Sequence, residues 1–391
     1  MTRKITEASH AISEAVKSVE PGVIAAYPIT PQTHIVEKIS EYVADGELKS
    51  EYIRVESEFA AISACLGASA TGVRSYTATA SQGLALMFEV LFIVSGMRLP
   101  VCMTLANRAM SAPISIWNDH QDSISARDIG WIQMYAENAQ ECHDLTLMQF
   151  KISEDKRVLV PSMVCMDGFV LTHLYESIDI HSKQQIEDFL PEYEPYHAVL
   201  DPEQPMTQGP IGFPSEYMEL RKSQIDATEN SINVIEEVFG DFSDRFPVEI
   251  KDARPETYRV VEEYKTDDAE IVFVALGSIC GQIKVVIDRL REKGEKVGLA
   301  KIVVYRPFPR QALKKILGRT SKVAVLERAL SPGANTPIYD ELRSLMYDSS
   351  DRPKIRNFVV GIGGRDVRLE HVSRIYEMMK QDKGKTEEWM F

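Results

Sequence analysis

The stretch RSYTATASQGLALMFEVLFIVSGMRLPVCMTLA, Arg74 to Ala106, decides the fold. Its opening residues, Arg74–Thr79, carry Tyr and two Thr and predict a short strand. Gln82–Ser95 is apolar over a length that suits a helix, and Pro100–Ala106 returns to strand character. Strand, helix and strand in so short a span make a βαβ unit, whose strands pair in parallel.

The pattern extends in both directions. Upstream, Thr6–Glu20 has helical spacing and stops at Pro21-Gly22, Val23–Ile29 reads as a buried strand, Glu51–Val55 as another, and Ser57–Ala70 as a helix. That helix is rich in Ala, Ser and Gly, so its neighbours can approach closely. Downstream, Arg127–Ser153 predicts one or two helices and Val158–Met166 a further strand. The class is α/β, a parallel sheet covered by helices on both faces, and ligands of such sheets sit at the carboxyl ends of the strands.

From Tyr175 to about Pro214 the periodicity fades into Glu, Pro, Tyr and His, which reads as a surface excursion, and a helix follows at Gln224–Phe239. A second alternating series then begins. Strands are expected at Ile271–Leu276, Val297–Val304, Lys322–Leu326 and Ile355–Gly361, with helices at Ile279–Lys293, Arg310–Leu317 and Thr336–Tyr347 between them. The division is a first domain over 1–245, a linker over 246–258 and a smaller α/β domain over 259–391.

The 391 residues carry a formal charge of −14 with no Lys/Arg-rich run, which excludes electrostatic binding to nucleic acid or to an anionic membrane surface. The greasiest stretch, Leu84–Val94, is shorter than the roughly 20 residues a membrane span needs, and no signal-type apolar core opens the chain, so a cytoplasmic protein is expected. Five scattered cysteines without a Cys-x-x-Cys pair argue against a disulfide framework, a zinc site or an iron–sulfur cluster in this chain.

Candidate chemistry gathers at one sheet edge. In Tyr27-Pro-Ile-Thr-Pro-Gln-Thr33 a strand ends and Pro31 suits a first helical turn, so Thr30 is the expected N-cap; it either only caps or also holds a carboxylate or keto oxygen. Glu56-Ser57-Glu58 occupies the next strand-to-helix turn, where a carboxylate is favoured by the helix dipole whatever its task. Arg108, after the strand Pro100–Ala106, either pairs with a nearby acid or grips a substrate carboxylate with its planar fork. Asp119, His120 and Asp122 are possible metal ligands, but without a second His at ligand spacing a hydrogen-bonded loop is the better reading, and no metal is assigned to the chain. Gly361-Ile-Gly-Gly364 is a weak candidate for a phosphate turn.

Seven blocks carry a family resemblance: Ala26–Thr33, Val55–Glu58, Thr79–Leu84, Asn107–Ala109, Asn118–Asp122, Asp167–Phe169 with Thr172-His173, and Tyr305–Phe308. In order and spacing they resemble the α subunits of the pyruvate:ferredoxin oxidoreductases, the 2-oxoacid:ferredoxin oxidoreductase family, over nearly the whole chain. Phe59 departs, since many relatives carry His there. The resemblance implies a pyrimidine-type thiamine diphosphate domain followed by a domain like the C-terminal part of transketolase. It puts Glu58, with Pro28, at the cofactor and Thr30 and Arg108 at the substrate, all three of Glu58, Arg108 and Thr30 being catalytic. The implied reaction is the reversible, coenzyme A-dependent oxidative decarboxylation of pyruvate to acetyl-CoA and CO2 with reduction of ferredoxin.

Thiamine enzymes hold the diphosphate through Mg2+ on a Gly-Asp-Gly segment, and this chain has none. The resemblance therefore implies a β subunit supplying Mg2+ and an iron–sulfur cluster, with γ and δ subunits completing the complex. The alternatives are the same chemistry on a branched-chain 2-oxoacid or 2-oxoglutarate, and a non-catalytic scaffold subunit.

Overall fold

The structure, a computed structural model, describes residues 2–196, 199–247, 250 and 253–391. Residues 248, 249, 251 and 252 of the expected linker lie outside the described residues. The first half runs β1 (Thr2–Glu7), α1 (Ala8–Val19), β2 (Val23–Ala26), α2 (Thr33–Ala44), β3 (Glu51–Arg54), α3 (Glu58–Ala70), β4 (Ser75–Thr79), α4 (Gln82–Gly96) and β5 (Cys102–Asn107). It continues through α5 (Gln121–Ser125), β6 (Ile132–Tyr135), α6 (Ala139–Glu154), β7 (Ser162–Asp167), β8 (Tyr175–Ile180), α7 (Lys183–Phe189) and α8 (Tyr217–Arg245). The second half comprises β9 (Val261–Tyr264), β10 (Ile271–Ala275), α9 (Ile279–Arg291), β11 (Val297–Ile302), β12 (Val304–Arg306), α10 (Arg310–Leu317), β13 (Lys322–Glu327), α11 (Pro337–Met346), β14 (Lys354–Val359), α12 (Leu369–Lys380) and β15 (Glu387–Trp389).

Two sheets organise these elements. The larger has the order β12-β6-β7-β5-β4-β2-β3, and all its pairings are parallel except that of β12 with β6. Every residue of β4, β5, β6 and β7 is buried, as strands covered on both faces require. The smaller sheet, β15-β14-β13-β10-β11-β9, is parallel apart from β9. A two-stranded antiparallel ribbon of β1 and β8 stands beside them.

Several sequence expectations are corrected. The helix expected from Thr6 begins at Ala8, because Thr2–Glu7 pairs with β8; both strands carry polar exposed residues, so neither has an apolar pattern to reveal it. The excursion from Tyr175 to Pro214, of which 197 and 198 lie outside the described residues, supplies β8 and α7. Ile132–Tyr135, read as helix, is a buried strand, a case that periodicity alone does not separate from a helix at that length. Val297–Val304, read as one strand, splits after Ile302, and β12 crosses to close the edge of the larger sheet against β6. Helix α8 starts seven residues before the expected Gln224, through turns exposed but for a half-buried Arg221.

Helix α4 deserves its apolar composition only in part. Leu84, Met87, Leu91 and Val94 face the sheet, each worth about 1.5–3 kcal/mol when fully buried, while Leu86, Phe88 and Ile93 remain exposed. A helix apolar all round is one that expects cover on both sides. All five cysteines are buried and unpaired, and no helix among the described residues is long and apolar enough to cross a membrane.

Candidate active site

The loops that leave β2, β3, β4, β5 and β7 emerge at one edge of the larger sheet, because those strands are mutually parallel. After β2 the chain makes a turn in which Gln32 N donates to Ile29 O at 2.8 Å. The Gln32 side chain folds back onto this turn, accepting from Ile29 N at 3.2 Å and donating to Ala78 O at 2.8 Å. Helix α2 consequently begins at Thr33 with Gln32 as its N-cap. Thr30 is thus not the cap expected from the sequence: it precedes the helix by a turn, exposed beside exposed Pro28, and its backbone carbonyl accepts from Arg108 Nη1 at 3.0 Å.

After β3, Ser57 caps α3 by accepting from Ala60 N at 3.2 Å, which relieves Glu58 of that duty. Glu58 is 7% exposed, yet among the described residues its carboxylate takes no hydrogen bond and no ion pair. It lies against the first turn of α4. A Cβ on Gly83 would come within 2.8 Å of Glu58 Oε1 and 2.3 Å of Thr79 Oγ1, so this close approach requires glycine. The Thr79 hydroxyl is itself buried without a partner.

Arg108 follows β5 and is 8% exposed. Its Nε donates to Ser115 O at 3.1 Å and its Nη1 to Thr30 O, and no acid pairs with it among the described residues. The ion-pair alternative raised by the sequence is therefore not what the structure contains. A buried guanidinium whose only partners are neutral carbonyls keeps its charge for something else.

The loop after β5 is anchored by Asp122, at 1% exposure. One carboxylate oxygen accepts from Ser81 N and Arg108 N, both at 3.0 Å; the other accepts from Asn107 Nδ2 and Ser123 N, both at 2.8 Å. Burial nevertheless outweighs these donors and pushes its carboxyl up to about 6. Asp119 instead accepts from Gln121 N and Gly363 N at 3.0 Å, and His120 Nε2 meets Asp167 at 2.6 Å. The three loop residues point to three different partners and form no common metal site. Asp167 also takes Arg328 at 2.9 Å and Ser278 N at 2.9 Å, joining the two sheets' loops; burial raises and these partners more than offset it, holding the carboxyl below its usual range. The Gly361–Gly364 turn spends the Gly363 amide on Asp119 and packs on Trp117, so it serves as a clasp on this loop.

The structure thus joins Thr30 to Arg108 directly and reaches Glu58 through Gly83, Ser81 and Asp122. Sequence reasoning missed the role of Asp122 and of the Asp167–Arg328 pair, which depend on contacts up to 161 positions apart. The only local signal was an Asp at a strand end before glycine, as at Asp167-Gly168.

The fold resembles those of two solved proteins. It matches a 2-oxoglutarate:ferredoxin oxidoreductase from Magnetococcus marinus, solved with 2-oxoglutarate, coenzyme A and succinyl-CoA bound, at TM-score 0.74 and 19% identity over 96% of this chain. The chain spans 65% of the length of that one. It matches a split-gene transketolase, an inactive β4 tetramer, at TM-score 0.55 and 10% identity, covering 96% of this chain and 97% of the other.

Sequence comparison narrows the class. Residues 14–240 match the thiamine diphosphate-binding model of the pyruvate flavodoxin/ferredoxin oxidoreductases, and residues 269–372 match core domain II of pyruvate:ferredoxin oxidoreductase. The chain is 49% identical to pyruvate synthase subunit PorA of Pyrococcus abyssi, over 98% of this chain and 96% of that one. It is 48% identical to PorA of Methanocaldococcus jannaschii, over 99% and 97%, and 42% identical to ketoisovalerate oxidoreductase subunit VorA of Pyrococcus abyssi, over 97% and 94%. This chain belongs to the pyruvate:ferredoxin oxidoreductase family.

Proposed function

We propose that this chain is the subunit of a pyruvate synthase that supplies the substrate-binding and pyrimidine-binding half of a thiamine diphosphate site. One observation carries the reading: a buried cation, Arg108, and a buried carboxylate, Glu58, stand at one sheet edge without protein counter-charges. Arg108, already anchored through Nε and Nη1, turns its remaining donors to the carboxylate of a 2-oxoacid, beside the exposed Thr30. Glu58, with Pro28 on the neighbouring loop, takes the aminopyrimidine. A carboxylate lacking a partner, an orphaned Thr79 hydroxyl and a close approach only glycine allows all fit a polar ring at this place.

Thiamine diphosphate supplies the carbon nucleophile and electron sink that decarboxylation of a 2-oxoacid needs. Glu58 holds a proton on the pyrimidine ring, Arg108 orients the acid, and burial strengthens both interactions. The net reaction converts pyruvate, the thiol of coenzyme A and oxidised ferredoxin to acetyl-CoA, CO2, a released proton and reduced ferredoxin, which takes up the electron pair, reversibly. Within Pyrococcus abyssi, higher identity to the pyruvate synthase subunit, 49%, than to the ketoisovalerate subunit, 42%, favours pyruvate over a branched-chain acid. The retained pair Glu58 and Arg108 disfavours a non-catalytic scaffold.

The remaining parts of the proposal are partners. A β subunit brings Mg2+ for the diphosphate and iron–sulfur clusters, γ and δ subunits complete a cytoplasmic complex, and ferredoxin docks on that complex. The exposed apolar residues Phe59 of α3 and Leu86, Phe88 and Ile93 of α4 support this, since these two helices begin beside Glu58 and offer apolar surface to a partner. The thiamine half occupies 1–245 and the transketolase-like half 259–391, joined through 246–258. Purification of the complex from its host, with an oxoacid panel assayed against a viologen acceptor, tests the reading. Pyruvate should be the best substrate and the isolated chain inactive; activity of the isolated chain, or a complex inert toward all 2-oxoacids, overturns it.

A further inference from the structure

Asp122 is a charge buried for a purpose that stability does not explain. All four of its donors are neutral, three of them backbone amides. The ionisable groups that bear on it, Tyr135 and Cys165, are both raised by burial above their usual values and so stay neutral, while His120 is turned to Asp167 and the Arg108 guanidinium to Thr30 and Ser115. Among the described residues no opposite charge offsets the desolvation of this carboxylate.

What the carboxylate does is geometric. A single oxygen receives the amide of Ser81, at the exit of β4, and the amide of Arg108, at the exit of β5. Ser81 has φ 46° and ψ −119°, a left-handed conformation that costs a non-glycine residue energy and persists only when its surroundings hold it. Its hydroxyl is also bound, donating to Ala109 O at 2.8 Å, next to Arg108. The strained residue directly precedes α4, whose Gly83 lies under Glu58. Displacing either amide from Asp122 shifts Arg108 against the first turn of α4, the turn on which Glu58 packs.

We propose that Asp122 is a positioning residue that locks Arg108 and the first turn of α4 beneath Glu58 into one rigid unit. The inference rests on the roles proposed above for those two residues. An Asn cannot replace it, because its NH2 would face two N–H donors where the Asp presents an acceptor. Because the carboxyl titrates near 6, protonation at lower pH puts a hydrogen among those donors and releases the unit.

The test uses the purified complex and three variants. Asp122→Asn should raise KM for pyruvate on the order of tenfold to a hundredfold, with a smaller change in kcat, as misplacement of a binding group predicts. Hydrogen–deuterium exchange in the absence of substrate should rise in both peptides, 79–84 and 107–117, whatever substrate the enzyme uses, which separates failure of this inference from failure of the proposed function. Asn107→Ala removes one donor and leaves the carboxylate, so the acid limb of kcat/KM should move up by about one pH unit. Glu327→Gln, altering a buried acid that caps α11 through Ile338 N and Tyr339 N, controls for general destabilisation and should leave KM unchanged. An Asp122→Asn complex with native KM and native exchange, or an acid limb unmoved by Asn107→Ala, overturns the inference.

Discussion

Lys301 and Arg108 are both buried cations near strand ends, and they have opposite surroundings. Lys301, fully buried, meets Glu137 at 2.6 Å, Glu141 at 2.5 Å and Glu262 at 2.8 Å, and Lys284 meets Glu137 and Glu262 from the other side. The cluster closes on itself and welds α6 and its preceding loop to the second sheet. Three carboxylates against two ammoniums leave one in surplus; burial and its acidic neighbours push Glu141 up, while Lys301 and Lys284 overcome burial and hold Glu262 down. Arg108 and Glu58 are almost as buried, but among the described residues neither meets an opposite charge. A saturated charge cluster is a structural joint, whereas an unsaturated one is a socket. Buriedness alone does not separate the two; the inventory of partners does.

The largest expected effect sharpens the socket side. Glu58→Gln keeps shape and one acceptor but loses the charge that, on the proposed reading, holds a proton on a pyrimidine ring, so turnover with pyruvate should fall by orders of magnitude while bound thiamine is retained. Native turnover in a cofactor-loaded variant would remove Glu58 from the chemistry. Lys301→Met should behave oppositely. Removing one partner from a buried ion cluster typically costs about 3–5 kcal/mol, visible as a lowered unfolding midpoint, with kcat/KM per folded complex unchanged. An unchanged midpoint would mean the cluster is not the joint described here.

Arg108→Ala should cost roughly 2–5 kcal/mol in kcat/KM if its fork meets the substrate carboxylate, with Arg108→Lys restoring only part because an ammonium lacks the second donor in plane. Full recovery by Lys would reduce Arg108 to a point charge. The smallest effect lies away from the site, at the buried Glu14. Burial raises the Glu14 carboxyl, but Lys4, Lys17 and Tyr42 more than offset it and bring it down to about 2. Its stabilising contribution is complete above the unfolded carboxylate range near 4 and is lost as pH falls toward 2. In acid titration Glu14→Gln should erase that loss, roughly 1–3 kcal/mol, with no effect on activity at neutral pH.

Legibility from sequence followed the range of the interactions involved. Helix Arg310–Leu317 was readable to the residue, because its burial stripe and its bounding Pro309 and Gly318 are local. Strands β1 and β12 were not, since one is polar and the other exists only by crossing to β6. Among the site residues, Glu58 and Arg108 were legible as polar groups placed after apolar strands in a βα series. Thr30 was readable as part of that edge but not in its local role, because the Gln32 side chain, reaching 46 positions away to Ala78, sets where α2 starts. Asp122 gathers donors from three segments, a convergence that no window of sequence displays.

The measurement that tests the distinction most directly is the thermal midpoint of Glu58→Gln in the cofactor-free protein. A carboxylate buried without a partner costs stability until its ligand arrives, so the neutral amide should leave the midpoint unchanged or raise it. A fall comparable to that of Lys301→Met would show that Glu58 is a closed structural charge, and would contradict the account.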